Sequence, residues 1–195
     1  DYNISLDKRD KVYAPTDGYI SSFSQGLPVY SDSPSIRNTY AFSKYKSLSS
    51  DAIGTFKIYA TAINGLNDKD VRLNQRAKLS TSRLRGFKAG KIGPKDGNDY
   101  VGGNYAIASN FEVALPNFLP ESTKTDVGLF LDFGNVWNVD YDKNLDNSNA
   151  IRSSTGMNAS WLSPAGPMTF VFSQNLSKAS TDVTESFNFK LGTTF

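Results

Sequence analysis

The chain has 195 residues and a mass of 21.4 kDa, which suits one domain with its own core and is short for two. It contains neither Cys nor His, which excludes thiolate and imidazole metal sites, cysteine nucleophiles and Ser-His catalytic triads. The 21 basic and 19 acidic residues leave a net charge of +2, which indicates no particular class of partner. No stretch approaches 18 apolar residues, so a transmembrane helix is excluded.

Apolar and polar residues alternate with a period of two along most of the chain, and no apolar stripe with helical period covers a helix length. The alternation is clear near the end, where Phe187, Phe189 and Leu191 oppose Asn188 and Lys190. We predict an all-β fold with nine strands, at 2–9, 19–26, 37–46, 53–63, 100–115, 125–138, 150–162, 167–175 and 185–194.

The predicted connections alternate between short and long. Those at 15–18, 47–51, 116–124 and 163–166 are short, whereas those at 27–36, 64–99, 139–149 and 176–184 are longer and polar. Membrane barrels have short turns at one rim and long loops at the other. The sequence therefore predicts an antiparallel transmembrane β-barrel, and the odd number of strands indicates a misread strand or a missing part of the barrel.

The two faces of the predicted strands also favour a barrel over a soluble β-sandwich. One face carries large apolar residues, and the other carries Gly, Ala, Ser, Asn and Thr with isolated charges, as in a hydrated lumen. Glu112 and Asp132 fall on the small-residue face of adjacent strands and are predicted to point into the lumen. A soluble sandwich acting as a binding module is the alternative, which partition into water without detergent would support.

No residue pattern indicates an enzyme, a cofactor or a metal site. Acidic residues alternate from Asp140 to Asp146, but Leu145 stands where a calcium loop requires Gly. Eight basic residues and no acidic one lie between Arg72 and Lys95. Such a run could bind nucleic acid or lipid headgroups, but we favour a long loop folded against lumen carboxylates and expect no nucleic-acid partner.

Five motifs, in the right order, resemble the BamA family of bacterial outer-membrane protein assembly factors. Residues 13–18 are similar to its F-x-P-T-x-G turn, 130–137 to its F-x-D-x-G-x-V-W strand, 163–168 to its S-P-x-G-P turn and 187–195 to its closing strand. The fifth motif resembles the (V/L)RG(F/Y) signature of the family's longest loop, and consists of Leu84, Arg85, Gly86 and Phe87, followed by Ile92, Gly93 and Pro94.

The resemblance implies a sixteen-stranded barrel preceded by periplasmic POTRA domains, with residues 1–195 as its C-terminal half and 64–99 as a lumen-folding loop. It also implies a bacterial outer-membrane protein that inserts β-strands at a weakly closed lateral seam. The implied partners are outer-membrane lipid, nascent outer-membrane β-barrel proteins and accessory assembly lipoproteins. The closing strand would form one side of the seam, with Phe187, Phe189, Leu191, Gly192 and Phe195.

Two other functions remain open. A two-partner secretion pore of the same superfamily would share the loop signature and the barrel, and two POTRA domains instead of five would favour it. A passive outer-membrane channel would instead show large and steady conductance.

The resemblance further implies a contact inside the lumen between Arg85 and the carboxylate of the F-x-D-x-G strand, here Asp132, with Glu112 alongside. A guanidinium suits this task because its rigid fork can bind two carboxylates, which Lys cannot reproduce.

The chain ends on an aromatic residue, Phe195, which has the parity of Phe187 and Phe189. Because a terminal aromatic residue anchors a strand at the membrane interface, we expect deletion of Phe195 to slow assembly of the barrel itself. Heat-modifiability on a gel measures this, and a truncated protein that assembles as fast as the wild type would contradict it.

Overall fold

The computed structural model describes residues 1–28, 32–145, 149–163 and 166–192. These residues form a nine-stranded antiparallel sheet in the order β1-β2-β3-β4-β7-β8-β9-β10-β11. The strands are β1 (Tyr2–Asp7), β2 (Gly18–Gly26), β3 (Ser35–Ser49), β4 (Ala52–Gly65), β7 (Tyr105–Leu115), β8 (Thr125–Trp137), β9 (Arg152–Ser163), β10 (Gly166–Ser177) and β11 (Phe187–Leu191).

Smaller elements lie between these strands. A two-stranded hairpin, β5 (Lys95–Asp96) and β6 (Asp99–Tyr100), lies in the connection from β4 to β7. Three single 3-10 turns occur within the described residues, at Leu73–Gln75, Glu121–Thr123 and Lys143–Leu145. Within the described parts of the chain, no helix combines the length and apolar character that crossing a bilayer requires.

The all-β prediction is confirmed, and each predicted strand corresponds to one strand of the large sheet. One boundary was wrong: the strand predicted from residue 100 begins at Tyr105. The preceding residues leave the ladder because Gly102 has a φ of +72° and Gly103 pairs with Ala77 instead. Part of the turn predicted at 163–166 lies outside the described residues, as does Phe195.

Strand register separates two faces of different composition. Phe111 lies opposite Leu131 on one face, which we call the outer face, while Asn110 lies opposite Asp132 on the other, which we call the inner face. Large apolar side chains are exposed along the outer face, including Ile4, Phe23, Tyr40, Ile107, Phe111, Leu129, Met157, Phe172 and Phe189. Exposed apolar residues over a whole sheet face are typical of a surface that contacts lipid.

The buried core lies on the inner face. Side chains of β4, β7 and β8 pack there against the long connection between β4 and β7. The residues of this cluster are Ile63, Val71, Ala77, Leu79, Leu84, Phe87, Ile92, Ala106, Ala108 and Val136. The sheet therefore has lipid-type chemistry outside and an apolar cluster inside that the long connection covers.

A charge on the outer face should weaken the protein more than the same charge on the inner face. Leu129 is 53% exposed on the outer face, and an arginine in lipid costs up to about 2–4 kcal/mol at mid-membrane depth. We expect Leu129→Arg to lower the heat-modifiability midpoint in membranes. The control is Ser22→Arg on the inner face, and equal losses from both would contradict the assignment of the faces.

Candidate functional site

The connection 66–104, which we call the long loop, is fixed to the sheet at both of its ends. The backbone N–H of Ile63 donates to the carbonyl of Asn104 at 2.8 Å. The backbone N–H of Val71 donates to Asp140 at 2.7 Å, and Asn104 donates to the same carboxylate. Asp140, in the acidic stretch that superficially resembles a calcium loop, thus holds the base of the long loop.

At the middle of the long loop, Arg85 binds the carboxylates of two adjacent strands. Its Nε and Nη2 donate to the two oxygens of Asp132, each at 2.8 Å, and its backbone N–H donates to Asp132 Oδ2 at 3.0 Å. Its Nη1 donates to Glu112 Oε2 at 2.6 Å. The structure therefore brings together the three residues that the resemblance implied would meet.

The surroundings of Arg85 make this network strong. The Asp132 side chain is fully buried, that of Arg85 is 10% exposed and that of Glu112 is 27% exposed. The guanidinium carbon lies 3.7 Å from the ring centroid of Phe130, within cation–π distance. Burial alone would lower the pKa of the Arg85 guanidinium, but hydrogen bonds and charge attraction with Asp132 and Glu112 raise it. The arginine is therefore held as a permanent cation between two anions.

The loop backbone approaches the sheet closely at Gly86. This residue has a φ of +85°, and a Cβ atom there would lie 3.0 Å from Cβ of Ser154 and 3.1 Å from Nδ2 of Asn175. Ser154 donates to the carbonyl of Arg85, and Asn175 donates to the carbonyl of Gly86 at 2.9 Å. A side chain at position 86 would therefore have a strained backbone and would crowd Ser154 and Asn175.

The other signature residues are buried beside the network. Leu84, Phe87 and Ile92 belong to the apolar cluster, and Gly93 and Pro94 are buried next to them in the loop. These contacts make the signature a packed element rather than an exposed tip.

The basic residues of the long loop differ in burial, and Arg72 is among the exposed ones. Arg76 and Arg85 are buried, and the Arg83 guanidinium lies 3.3 Å from the ring centroid of Tyr59. Lys78 and Lys88 are exposed. Arg83 and Arg85 thus fix the loop to the sheet, which agrees with a loop folded against lumen carboxylates.

Several residues of the site were not predicted from the sequence. Ser154, Asn158 and Asn175 share the inner face with Asp132, and each bonds to the signature or to Glu112. The sequence shows only that these residues lie on the inner face. Because small polar residues occupy that whole face, their position could not distinguish these three from the others.

The closing strand β11 lies at the edge of the sheet opposite β1. Phe187, Phe189 and Leu191 are about half exposed on the outer face. The ring centroid of Phe189 lies 5.2 Å from that of Phe170 on β10. Gly192, which follows the strand, has a φ of +110°, a conformation that side-chain-bearing residues rarely adopt. The assignment of this strand to a lateral seam stays a prediction.

The family model for the Omp85 superfamily domain matches residues 1–195. The chain belongs to the Omp85 superfamily. Two curated relatives are outer membrane protein assembly factors BamA: that of Neisseria meningitidis is 32% identical over 57% of this chain, and that of Neorickettsia risticii 29% identical over 85%. A SAM50-like protein of Schizosaccharomyces pombe is 26% identical over 93% of this chain.

A solved Omp85 structure supports the same fold. The crystal structure of Haemophilus ducreyi BamA lacking POTRA domains 1–3 covers 97% of this chain with a TM-score of 0.83 and 24% sequence identity. This chain spans 41% of that protein and 17%, 23% and 41% of the three curated relatives. The nine-stranded sheet thus has the fold of part of that barrel structure, and the chain is an outer-membrane member of the Omp85 superfamily, as the resemblance implied.

Removing the guanidinium should release the long loop. Arg85→Ala leaves two carboxylates, one fully buried, without their cation. Such losses cost about 3–5 kcal/mol, and we expect the lower end because Glu112 is partly exposed. Limited trypsin digestion should show faster cleavage after Lys88 and Lys91.

Lys95→Ala is the matched control for this prediction, because its ammonium lies beside the Tyr100 ring and it forms no ion pair within the described residues. Equal cleavage rates in wild type and Arg85→Ala would show that the ion pairs do not hold the loop.

Proposed function

We propose that this chain belongs to an outer-membrane assembly factor that inserts β-barrel proteins by templating their strands at a lateral seam along β11. Outer-membrane lipid and nascent β-barrel proteins are its proposed partners, together with accessory assembly lipoproteins. The observation that carries the proposal is the position of β11 as an edge strand of the sheet, whose bonds to β10 use one edge of its backbone and leave the second edge for a strand outside the described residues.

The direction of each backbone group follows from two hydrogen bonds. Ser173 N–H donates to the carbonyl of Ser186 at 2.8 Å, and Gly192 N–H donates to the carbonyl of Pro167 at 2.9 Å. Because bonding direction alternates along an antiparallel strand, the backbone groups of Asn188 and Lys190 also face β10. Those of Phe187, Phe189 and Leu191 therefore face the open edge.

An open edge in a membrane has a specific chemical use. Each unpaired backbone group in lipid costs several kcal/mol, roughly, so an incoming strand gains by pairing with it. The outer-face aromatics of β11 supply an apolar surface for the same strand.

The position of the long loop favours an assembly factor over a passive outer-membrane channel. Its signature is buried against β7, β8 and β9, with Arg85 fixed by two carboxylates. A loop held inside by buried ion pairs narrows the lumen, which disfavours an open channel.

The test removes one outward-facing N–H without disturbing the bond to β10. Proline is tolerated in edge strands where the N–H faces away from the sheet, so Phe189→Pro removes a templating donor. The full-length protein is reconstituted in phospholipid vesicles, and folding of an added unfolded β-barrel protein is followed by heat-modifiability. We expect Phe189→Pro to insert about tenfold more slowly than Phe189→Ala, the effect of about 1.4 kcal/mol.

Phe189→Ala is the matched control, since both variants lose the ring but only the proline variant loses the donor. The variant barrels must themselves be heat-modifiable, and Phe187→Pro with Phe187→Ala gives a second pair. Equal insertion rates within both pairs would overturn templating by this edge. Secretion of a soluble passenger by both variants would favour the two-partner secretion pore.

A further inference from the structure

A buried ion pair fixes the connection 178–186, which joins β10 to the closing strand. Arg152, the first residue of β9, donates from Nε and Nη2 to the two oxygens of Asp182, each at 2.9 Å. Both side chains are fully buried. Arg152 Nη1 also donates to the Asn135 side chain at 2.5 Å and to the carbonyl of Ala150 at 2.7 Å. The fork therefore holds Asp182 in one place relative to β8 and β9.

Beyond Asp182, the connection pairs with the end of the signature. Lys88 N–H donates to the carbonyl of Val183 at 3.0 Å, and Val183 N–H donates to the carbonyl of Lys91 at 3.1 Å. Glu185 N–H donates to the carbonyl of Gly86 at 3.0 Å. Two residues later, β11 begins. The ion pair thus fixes the point from which the closing strand enters the sheet.

The side-chain pattern of β11 does not define its register by itself. A slip by one residue would turn Phe187 and Phe189 inward, but a slip by two keeps every apolar side chain on the outer face. Tight hairpin turns normally exclude such slips. The connection here is too long for that, since it runs from 178 to 186.

We propose that Arg152 and Asp182 are positioning residues that set the register of the closing strand against β10. The pair holds the connection to β9 and to the signature, so that Phe189 lies opposite Phe170 rather than two residues away. If the proposed function holds, Arg152 and Asp182 also determine which backbone groups the seam presents to an incoming strand. Only this consequence for the seam rests on the proposed function.

Cysteine crosslinking measures the register directly, because this chain contains no Cys. Ser173 and Ser186 form a hydrogen-bonded pair, and pairs of the two kinds alternate along an antiparallel ladder, so Phe170 and Phe189 form a non-hydrogen-bonded pair. The short distance between the two Cα atoms of such a pair suits a disulfide. Phe170→Cys is combined with Phe189→Cys to report the native register, and with Phe187→Cys or Leu191→Cys to report slips by two. All pairs are oxidised in the intact membrane-embedded protein.

We expect Arg152→Ala to slow the native crosslink about tenfold or more, as for loss of a buried ion-pair partner, and to raise a slipped crosslink. Arg152→Lys, which keeps the charge but not the fork, should give an intermediate rate. Lys178→Ala, an exposed residue of the same connection, should leave all three rates unchanged. Asp182→Asn replaces Arg152→Ala if the latter does not assemble.

An unchanged native crosslink in assembled Arg152→Ala or Asp182→Asn protein would overturn the proposal. General unfolding would lower every crosslink, whereas a register change lowers one and raises another. Insertion of an added β-barrel protein is measured on the same variants. A changed register with a normal insertion rate would refute the link between register and insertion, but it would not contradict the role of Arg152 and Asp182 in setting the register.

Discussion

A guanidinium bound to carboxylates on two adjacent strands is the interaction on which the arrangement of this protein depends. Arg85 reaches Asp132 on β8 and Glu112 on β7 from a loop that is not part of the sheet. In the low dielectric of a covered surface, the attraction is stronger than in water, and the cost of an unpaired charge is also greater. The loop is therefore held where both charges are satisfied.

The other contacts of the long loop are consistent with that position. The apolar cluster around Leu84 and Phe87 needs the loop as its cover, since the sheet alone would expose Ile63 and Val136. The close approach at Gly86 lets Ser154 and Asn175 bond to the backbone of the signature. Electrostatic, apolar and backbone interactions thus favour one conformation of a long connection.

The same loop conformation links the interior to the closing strand. The connection 178–186 pairs with residues of the signature and is fixed to β9 through Arg152. Movement of the signature and of the N-terminal end of β11 is therefore coupled through direct hydrogen bonds. The outer edge of β11, in contrast, has no partner among the described strands.

The fold could be predicted from the sequence because strand periodicity depends on local chemistry. Phe111 and Leu131 alternate with Asn110 and Asp132 whatever the distant contacts are, since lipid and lumen select different residues at successive positions. Strand number and faces followed. The alternation of short and long connections was wrong at its first pair, because β1 ends at Asp7 and the connection 8–17 is longer than the connection 27–34. Residues around 100–104 were misassigned because Gly102 has a positive φ and Gly103 pairs with Ala77, a contact that no local pattern contains.

The candidate site was accessible from the sequence only in part. The resemblance selected Arg85 and Asp132 because each lies in one of the recognised motifs, and parity placed Glu112 on the same face as Asp132. Tertiary structure alone decided that Ser154 and Asn175 hold the signature, and that Arg152 meets Asp182 from another part of the chain. Lumen-facing serines, asparagines and single charges look alike in a sequence. Their partners are chosen by how a loop folds across several strands, and the sequence shows only the strands.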